Sequence, residues 1–364
     1  MKKLLSLLII VVILTFTACG NNNDFSNVYF DFSNISSTTH STPSSSSAPS
    51  QTTSSFNEYT SHVTSVPTSS SSVNSSSNNS GDEIESGEKM YYSKIGNCLD
   101  IYIQSKENNN FIHYVYKRVV NESISIDTWR FYSYEIVDSK FNRLFGVPSS
   151  IEMDSVVREP NASDFIGGFH GYEILKELIV TVDGKQINVL GGDIALTEFF
   201  DEISCYAVST MSRNGEPNEK LFTRYKTNTF SMNGYFSKQR WIALQTVTLK
   251  TAYMGMMSLP TKEAGVTIVD KAKMDNSDII QTHSGSAIQN GPLYPVNSVR
   301  QIEIYGDKFY GKATYTADYN SNYRAFCDRF QSTQYKCYFN EVHSEKTFNA
   351  GDEISGEMHV EWKF

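Results

Sequence analysis

The chain of 364 residues is short of basic residues, of cysteine and of long apolar runs. Lys and Arg number 31 against 40 Asp and Glu. Setting aside Lys2, Lys3, Lys89 and the seven acids before Met90 leaves 28 basic and 33 acidic residues from Met90 onward, a net of −5. With no basic run, nucleic acid is excluded as the main partner, because phosphate contacts need clustered Lys and Arg. The five cysteines form neither a CxxC pair nor a Cys/His group with zinc-ligand spacing, so no metal or cofactor is expected. The longest apolar run, 4–16, is shorter than the ~20 residues that a permanent membrane helix needs. A GxSxG elbow is missing, and so is a Gly-rich loop opening a helix. Asp201-Glu202 and Asp352-Glu353 are adjacent pairs, whose side chains would point to opposite faces of a strand. That arrangement favours a glycoside hydrolase less than other carbohydrate chemistry.

What is present begins with an export address. Lys2 and Lys3 precede the apolar run, as in a signal peptide spanning 1–18. Phe16-Thr17-Ala18-Cys19-Gly20 resembles a bacterial lipobox, with Phe16 where Leu is usual. The resemblance implies that Cys19 is acylated and anchors the mature protein to the membrane. From Asn21 to Gly87 there is no Lys or Arg, few aliphatic residues and long Ser/Thr/Asn tracts. Such a segment buries too little apolar surface to offset the entropy of ordering it. Residues 19–89 therefore read as a lipidated Cys followed by a disordered tether. Its r.m.s. span is about 45 Å and its full extension about 230 Å.

From residue 90 to 364 the hydrophobic period is that of strands. Residues 99–104, 111–120, 123–137 and 241–250 alternate apolar and polar side chains, and the chain closes on a strand at 357–364. Asp183-Gly184 between 178–182 and 185–190 marks a hairpin, because Asp-Gly accepts the positive φ of a type I′ turn. Gly306-Asp307 marks a second hairpin, and 194–202 and 321–330 are the best helical candidates. Many strands without βαβ alternation predict an all-β, antiparallel β-sandwich, jelly-roll-like, with few short helices. Cys98, Cys205, Cys327 and Cys337 allow three disulfide pairings outside the cytoplasm. Cys327–Cys337 is favoured, because the residues between them can form strand-turn-strand.

The segment Asp164-Phe165-Ile166-Gly167-Gly168-Phe169-His170-Gly171-Tyr172-Glu173 concentrates the chemistry. Its glycines let the backbone turn sharply, His170 supplies an imidazole, the side-chain type whose ordinary pKa lies near neutrality, and Glu173 lies close enough in sequence to act with it. This stretch, with Ala252-Tyr253-Met254-Gly255-Met256-Met257-Ser258-Leu259-Pro260 and a closing Gly356-Glu357 and Trp362, resembles the polysaccharide lyase-like sandwiches of secreted and phage-tail-associated proteins. Those sandwiches often carry a Gly-His-Gly-Asp/Glu loop, and Tyr172 departs from that pattern. The resemblance spans 164–364 and implies eliminative cleavage of a uronate-containing glycan. Such cleavage needs a base, an acid and a group that offsets the carboxylate charge. His170 is the candidate base, Tyr253 and Tyr235 are candidate acids, and Arg240 is the carboxylate clamp, with Trp241 stacking on a sugar. Tyr323, Arg324, Lys336, Tyr338 and Asn340 form a second binding group, the last three sharing one strand face. The alternative is a glycan-binding or adhesion module without catalysis. Its platforms would come from Tyr91, Tyr92, Trp129, Tyr132, Tyr134 and Trp241.

Overall fold

The computed structural model describes residues 89–147, 153–269, 271–274, 281–282, 296–297, 301–317, 324–330 and 334–364. The signal segment, Cys19, the tether up to residue 88 and Tyr323 lie outside the described residues. The fold is nearly all strand, in a sandwich-like arrangement. The first four strands, β1 (Met90–Ile95), β2 (Cys98–Gln104), β3 (Phe111–Asn121) and β4 (Ile126–Val137), form an antiparallel meander. β5 (Arg143–Val147) pairs with β4, and β6 (Val156–Arg158) belongs to a second sheet. β7 (Glu173–Val182) and β8 (Lys185–Ile187) make the hairpin expected from Asp183-Gly184, with φ of 48° and 74° at the turn. β9 (Ile194–Phe199) pairs with β1, so this segment is a strand and not the helix expected over 194–202. Three long strands follow: β10 (Glu202–Arg213), β11 (Glu216–Ser231) and β12 (Gly234–Ala243).

Among the described residues, a sixteen-stranded sheet runs in the order β9-β1-β2-β3-β4-β7-β10-β11-β12 and continues through Glu353–Lys363, Tyr310–Ala317, Gln301–Tyr305, Lys271–Met274 and Gln281–Thr282, with β5 and β8 paired off this path. The pair Gln301–Tyr305 and Tyr310–Ala317 is the second expected hairpin. Flat, β3 and β11 would lie four strand spacings apart, roughly 19 Å. Yet Tyr114 of β3 and Phe230 of β11 have ring centroids 5.0 Å apart, and Lys226 Nζ of β11 donates to the Trp129 carbonyl of β4 at 3.1 Å. The sheet is therefore rolled. Right-handed twist accumulated over this many strands drives such curling.

The smaller sheet contains β6, Thr251–Pro260, Gln334–Val342, Arg324–Phe330 and Val296–Asn297. Arg324–Phe330 is a strand, where a helix is expected over 321–330. The two sheets pack through stacked Tyr315 and Phe339 (4.6 Å) and through the Tyr134 hydroxyl, which donates to the Ser258 carbonyl at 2.8 Å. Cys327 lies directly opposite Cys337 in strand register, and Cys337 is disulfide-bonded, as is Cys98. Cys205 is a buried free thiol, so the four cysteines do not all pair among themselves.

One ion cluster staples the β2-β3-β4 meander. His113 is buried, with Nε2 2.8 Å from Asp100 and Nδ1 3.0 Å from Glu135, and Tyr102 stacks on the ring at 4.3 Å. Arg143 closes the network, with Nε 3.0 Å from Glu135. Burial alone would lower the imidazole pKa, but the bonds to Asp100 and Glu135 outweigh it and raise the pKa from 6.5 to about 9. A raised folded-state pKa contributes stability that is complete below 6.5 and is lost as pH climbs through about 9. Thermal melts should show the wild type losing its advantage over His113→Gln across that window. An advantage that grows with pH instead would mean that His113 is neutral when folded.

Candidate functional site

Strand alternation decides which side chains enter the roll. On β11, Phe222, Arg224, Lys226, Asn228 and Phe230 are buried and face inward. On β12 the inward set is Tyr235, Ser237, Gln239, Trp241 and Ala243. Arg240 therefore points outward, where it is half-exposed and pairs with Glu353 at 2.7 Å. The expected Arg240–Trp241 clamp does not form, because neighbours in a strand face opposite ways.

The inward polar groups make a closed network. Arg224 is salt-bridged to Asp154 and to Glu173, the latter at 3.0 Å, and its Nε donates to Gln239 at 2.9 Å. Lys226 Nζ lies 2.9 Å from the second Asp154 oxygen. Glu173 also accepts from the Ser209 and Thr128 hydroxyls, at 2.7 and 3.3 Å. The Tyr235 and Ser237 hydroxyls donate to Asn228 at 2.9 and 3.0 Å. Burial pushes the Asp154 carboxyl up, yet Arg224 and Lys226 hold it well below the usual carboxylate range. The same burial pulls the Lys226 ammonium down despite Asp154.

This geometry reassigns three expected site residues. Glu173 is fully buried and serves Arg224, so it does not act with His170. Tyr235 is buried with its phenol pKa raised by burial, which removes it as a proton donor to a substrate. Trp241 is enclosed between Phe222 and the Arg224 guanidinium and presents no face to a sugar. Of the other expected platforms, Trp129, Tyr134 and Tyr92 are also buried.

The Gly-rich segment does form a distinct surface feature. Gly168–His170 is a 3₁₀ turn flanked by Gly167 (φ 92°) and Gly171 (φ 85°). A Cβ on Gly171 would stand 2.2 Å from the Ile124 carbonyl oxygen, so only glycine fits there. Tyr172 anchors the turn, its N–H donating to Ile124 and its carbonyl accepting from Ser212. Phe169 lies under the Arg130 guanidinium, 3.3 Å from the ring centroid. His170 is left half-buried, its Nδ1 2.8 Å from Asp164, so the orienting carboxylate is Asp164.

From His170 a row of half-buried rings crosses to the smaller sheet. Phe165 lies 5.2 Å from His170 and 5.5 Å from Tyr253, and Tyr253 lies 4.7 Å from Tyr338. Cations flank the row, Arg158 over Phe165 and Lys336 over Tyr338, each at 5.5 Å. Three of the expected residues, His170, Tyr253 and Tyr338, thus belong to one row, with Lys336 at its end. Asn340 is spent on the backbone, accepting from the Ala252 N–H at 3.1 Å. Arg324 lies on the strand paired with this one, opposite Asn340. Sequence reasoning gave no role to Asp164 and Phe165, although both lie in the Gly-rich segment, and missed Arg158. It also missed Asp154, Arg224 and Lys226, although Phe-x-Arg-x-Lys-x-Asn-x-Phe at 222–230 carries the alternation that places them inside. Among the described residues, no three His, Cys, Asp or Glu side chains gather as metal ligands.

No protein-family model and no curated protein matches the chain. Among solved structures it is similar to the galactosidase domain of an α-galactosidase–sucrose kinase, with TM-score 0.40 and 7% identity over 76% of this chain and 41% of that one. A GH36 α-galactosidase from Geobacillus stearothermophilus gives 0.40 and 9% over 71% and 41%. A galactose mutarotase-like protein from Clostridium acetobutylicum gives 0.39 and 8% over 76% and 99%. The chain spans less than half the length of either galactosidase. Likeness at this level fixes neither substrate nor reaction.

The buried network makes a firm demand on stability. Asp154→Ala or Glu173→Ala leaves a guanidinium buried with half its compensation, and each should cost about 3–5 kcal/mol in urea unfolding. A loss below about 1 kcal/mol would show that water reaches Arg224.

Proposed function

We propose that this chain is an exported, lipid-anchored protein that holds extracellular glycan on the ring row of its β-sandwich. The observation that carries the reading is the continuous run His170-Phe165-Tyr253-Tyr338, with Arg158 and Lys336 beside it. Planar rings set along a surface match the apolar faces of successive sugar units, and the half-buried Arg158 guanidinium and the Tyr253 and Tyr338 hydroxyls match their polar edges, while Lys336 is buried behind Tyr338. The lipobox-like Cys19 and the Ser/Thr-rich tether support display away from the membrane.

Capture is better supported than cleavage. Of the residues that elimination was expected to use, Tyr235, Trp241 and Glu173 are enclosed and Arg240 faces elsewhere. One observation favours a second reading. Asp164 beside His170 Nδ1 suits the imidazole tautomer whose lone pair is on Nε2, the form that a general base needs. Tyr253, one ring further along the row, is the candidate acid.

Retention of the full chain on immobilised neutral and uronate-containing polysaccharides tests both readings. Tyr253→Ala with Tyr338→Ala should weaken retention by about 1–2 kcal/mol, a factor of roughly 5–30, with the fold intact. Unchanged retention would sink the row as the binding surface. Ultraviolet absorbance of unsaturated uronate that appears with the wild type and vanishes in His170→Ala would add elimination to capture.

A further inference from the structure

A cleft of about 510 Å³ opens at the seam of the rolled sheet, between the ends of β2 and β3, the β11–β12 turn and the Glu353–Lys363 strand. Its volume falls within the roughly 300–1,000 Å³ usual for small-molecule sites. None of His170, Phe165, Tyr253 and Tyr338 lines it. Side-chain bonds hold the seam: Ser105 Oγ donates to the Phe364 carbonyl at 3.2 Å, and His359 Nε2 lies 2.7 Å from the Asn233 carbonyl oxygen.

The lining has two parts. Tyr114 and Trp362 form an aromatic wall, and the Trp362 ring is backed by Tyr134 at 4.9 Å and Phe309 at 5.5 Å, which fixes its orientation. Around them stand Lys106, Lys363, Glu107 and Glu361, two cations and two carboxylates. A lipid chain seated here would strip water from four charged groups and return nothing to them. A polyanion would gain from two of the four and be repelled by the other two. A neutral sugar ring suits both parts: its C–H face lies on the indole, and its hydroxyls both donate and accept.

The wall carries a second sign of an absent partner. Among the described residues, the buried Tyr114 oxygen interacts with the Trp362 indole N–H, a donor, and its own O–H has no acceptor. The indole lies near enough to the Tyr114 oxygen to favour its phenolate slightly, although burial, the larger effect, raises that pKa. Unpaired buried polar groups are rare in native folds. Both residues line the cleft, so an oxygen of a ligand seated in it is the acceptor that this O–H would take.

We infer that this cleft is a binding site for one neutral sugar residue, with Trp362 as its platform and the Tyr114 hydroxyl as a donor at its floor. The ligand class rests on the sugar reading above, while the residues are different ones. Trp129 and Trp241 are buried, so a sugar that alters tryptophan emission does so through Trp362. Titrating the full chain with galactose, glucose and lactose should give a saturable emission change, lost in Trp362→Phe. Tyr114→Phe should weaken binding about tenfold, the worth of one buried hydrogen bond. Tyr253→Ala with Tyr338→Ala should leave the titration unchanged. No emission change with any of the three sugars, or wild-type affinity in Tyr114→Phe, would overturn the site. Sugar binding without polysaccharide retention would sink the ring row alone, and retention without sugar binding would sink the cleft alone.

Discussion

Arg224 can be buried only if carboxylates meet it, and the two that do come from different parts of the chain. Glu173 arrives on β7, two strands away in the large sheet, and Asp154 arrives on the segment leading into β6 of the smaller sheet. One guanidinium therefore bears on both the roll of the first sheet and the seating of the second. Removing such ions from water is expensive, and an apolar core of equal volume is often as stable. What the ions supply is definition: a register slip of one residue on β11 would turn Arg224 and Lys226 outward and strand two carboxylates inside. The Gly-rich turn and the ring row are built around this centre, since Asp154 lies two residues before β6 and Gly167 sits against Trp241.

The sheet nature of the fold was legible in the sequence because alternation survives wherever one face is buried. Both hairpins were legible through Asp183-Gly184 and Gly306-Asp307. Residues 194–202 misled because Ile194 to Glu202 contains helix formers, while β9 is an edge strand whose exposed positions need not alternate. At 324–330, pairing with Gln334–Val342 overrode local preference.

The candidate site was legible only in part. His170, Tyr253 and Tyr338 stood out through unusual local context, and the fold draws them into one row. Their true companions, Phe165, Asp164 and Arg158, were hidden because nothing local separates a stacking Phe or a pairing Asp from any other. Trp241 and Tyr235 misled for the opposite reason. Large aromatics look like ligand platforms in a sequence, but their area makes them the first residues that a core recruits. Parity along β12 would have settled it, since Trp241 shares its face with Tyr235 and Gln239.

The strand Glu353–Lys363 lies in the interior of the large sheet, between β12 and Tyr310–Ala317, although it comes after both in the chain. Until the ribosome has made it, β12 has an open edge and the two halves of the sheet have no common border. An emerging chain therefore presents unpaired, aromatic-rich strands until residues 353–363 have been made, a state prone to pair with other chains. The architecture therefore permits completion of the large sheet only after Glu353–Lys363 has been delivered.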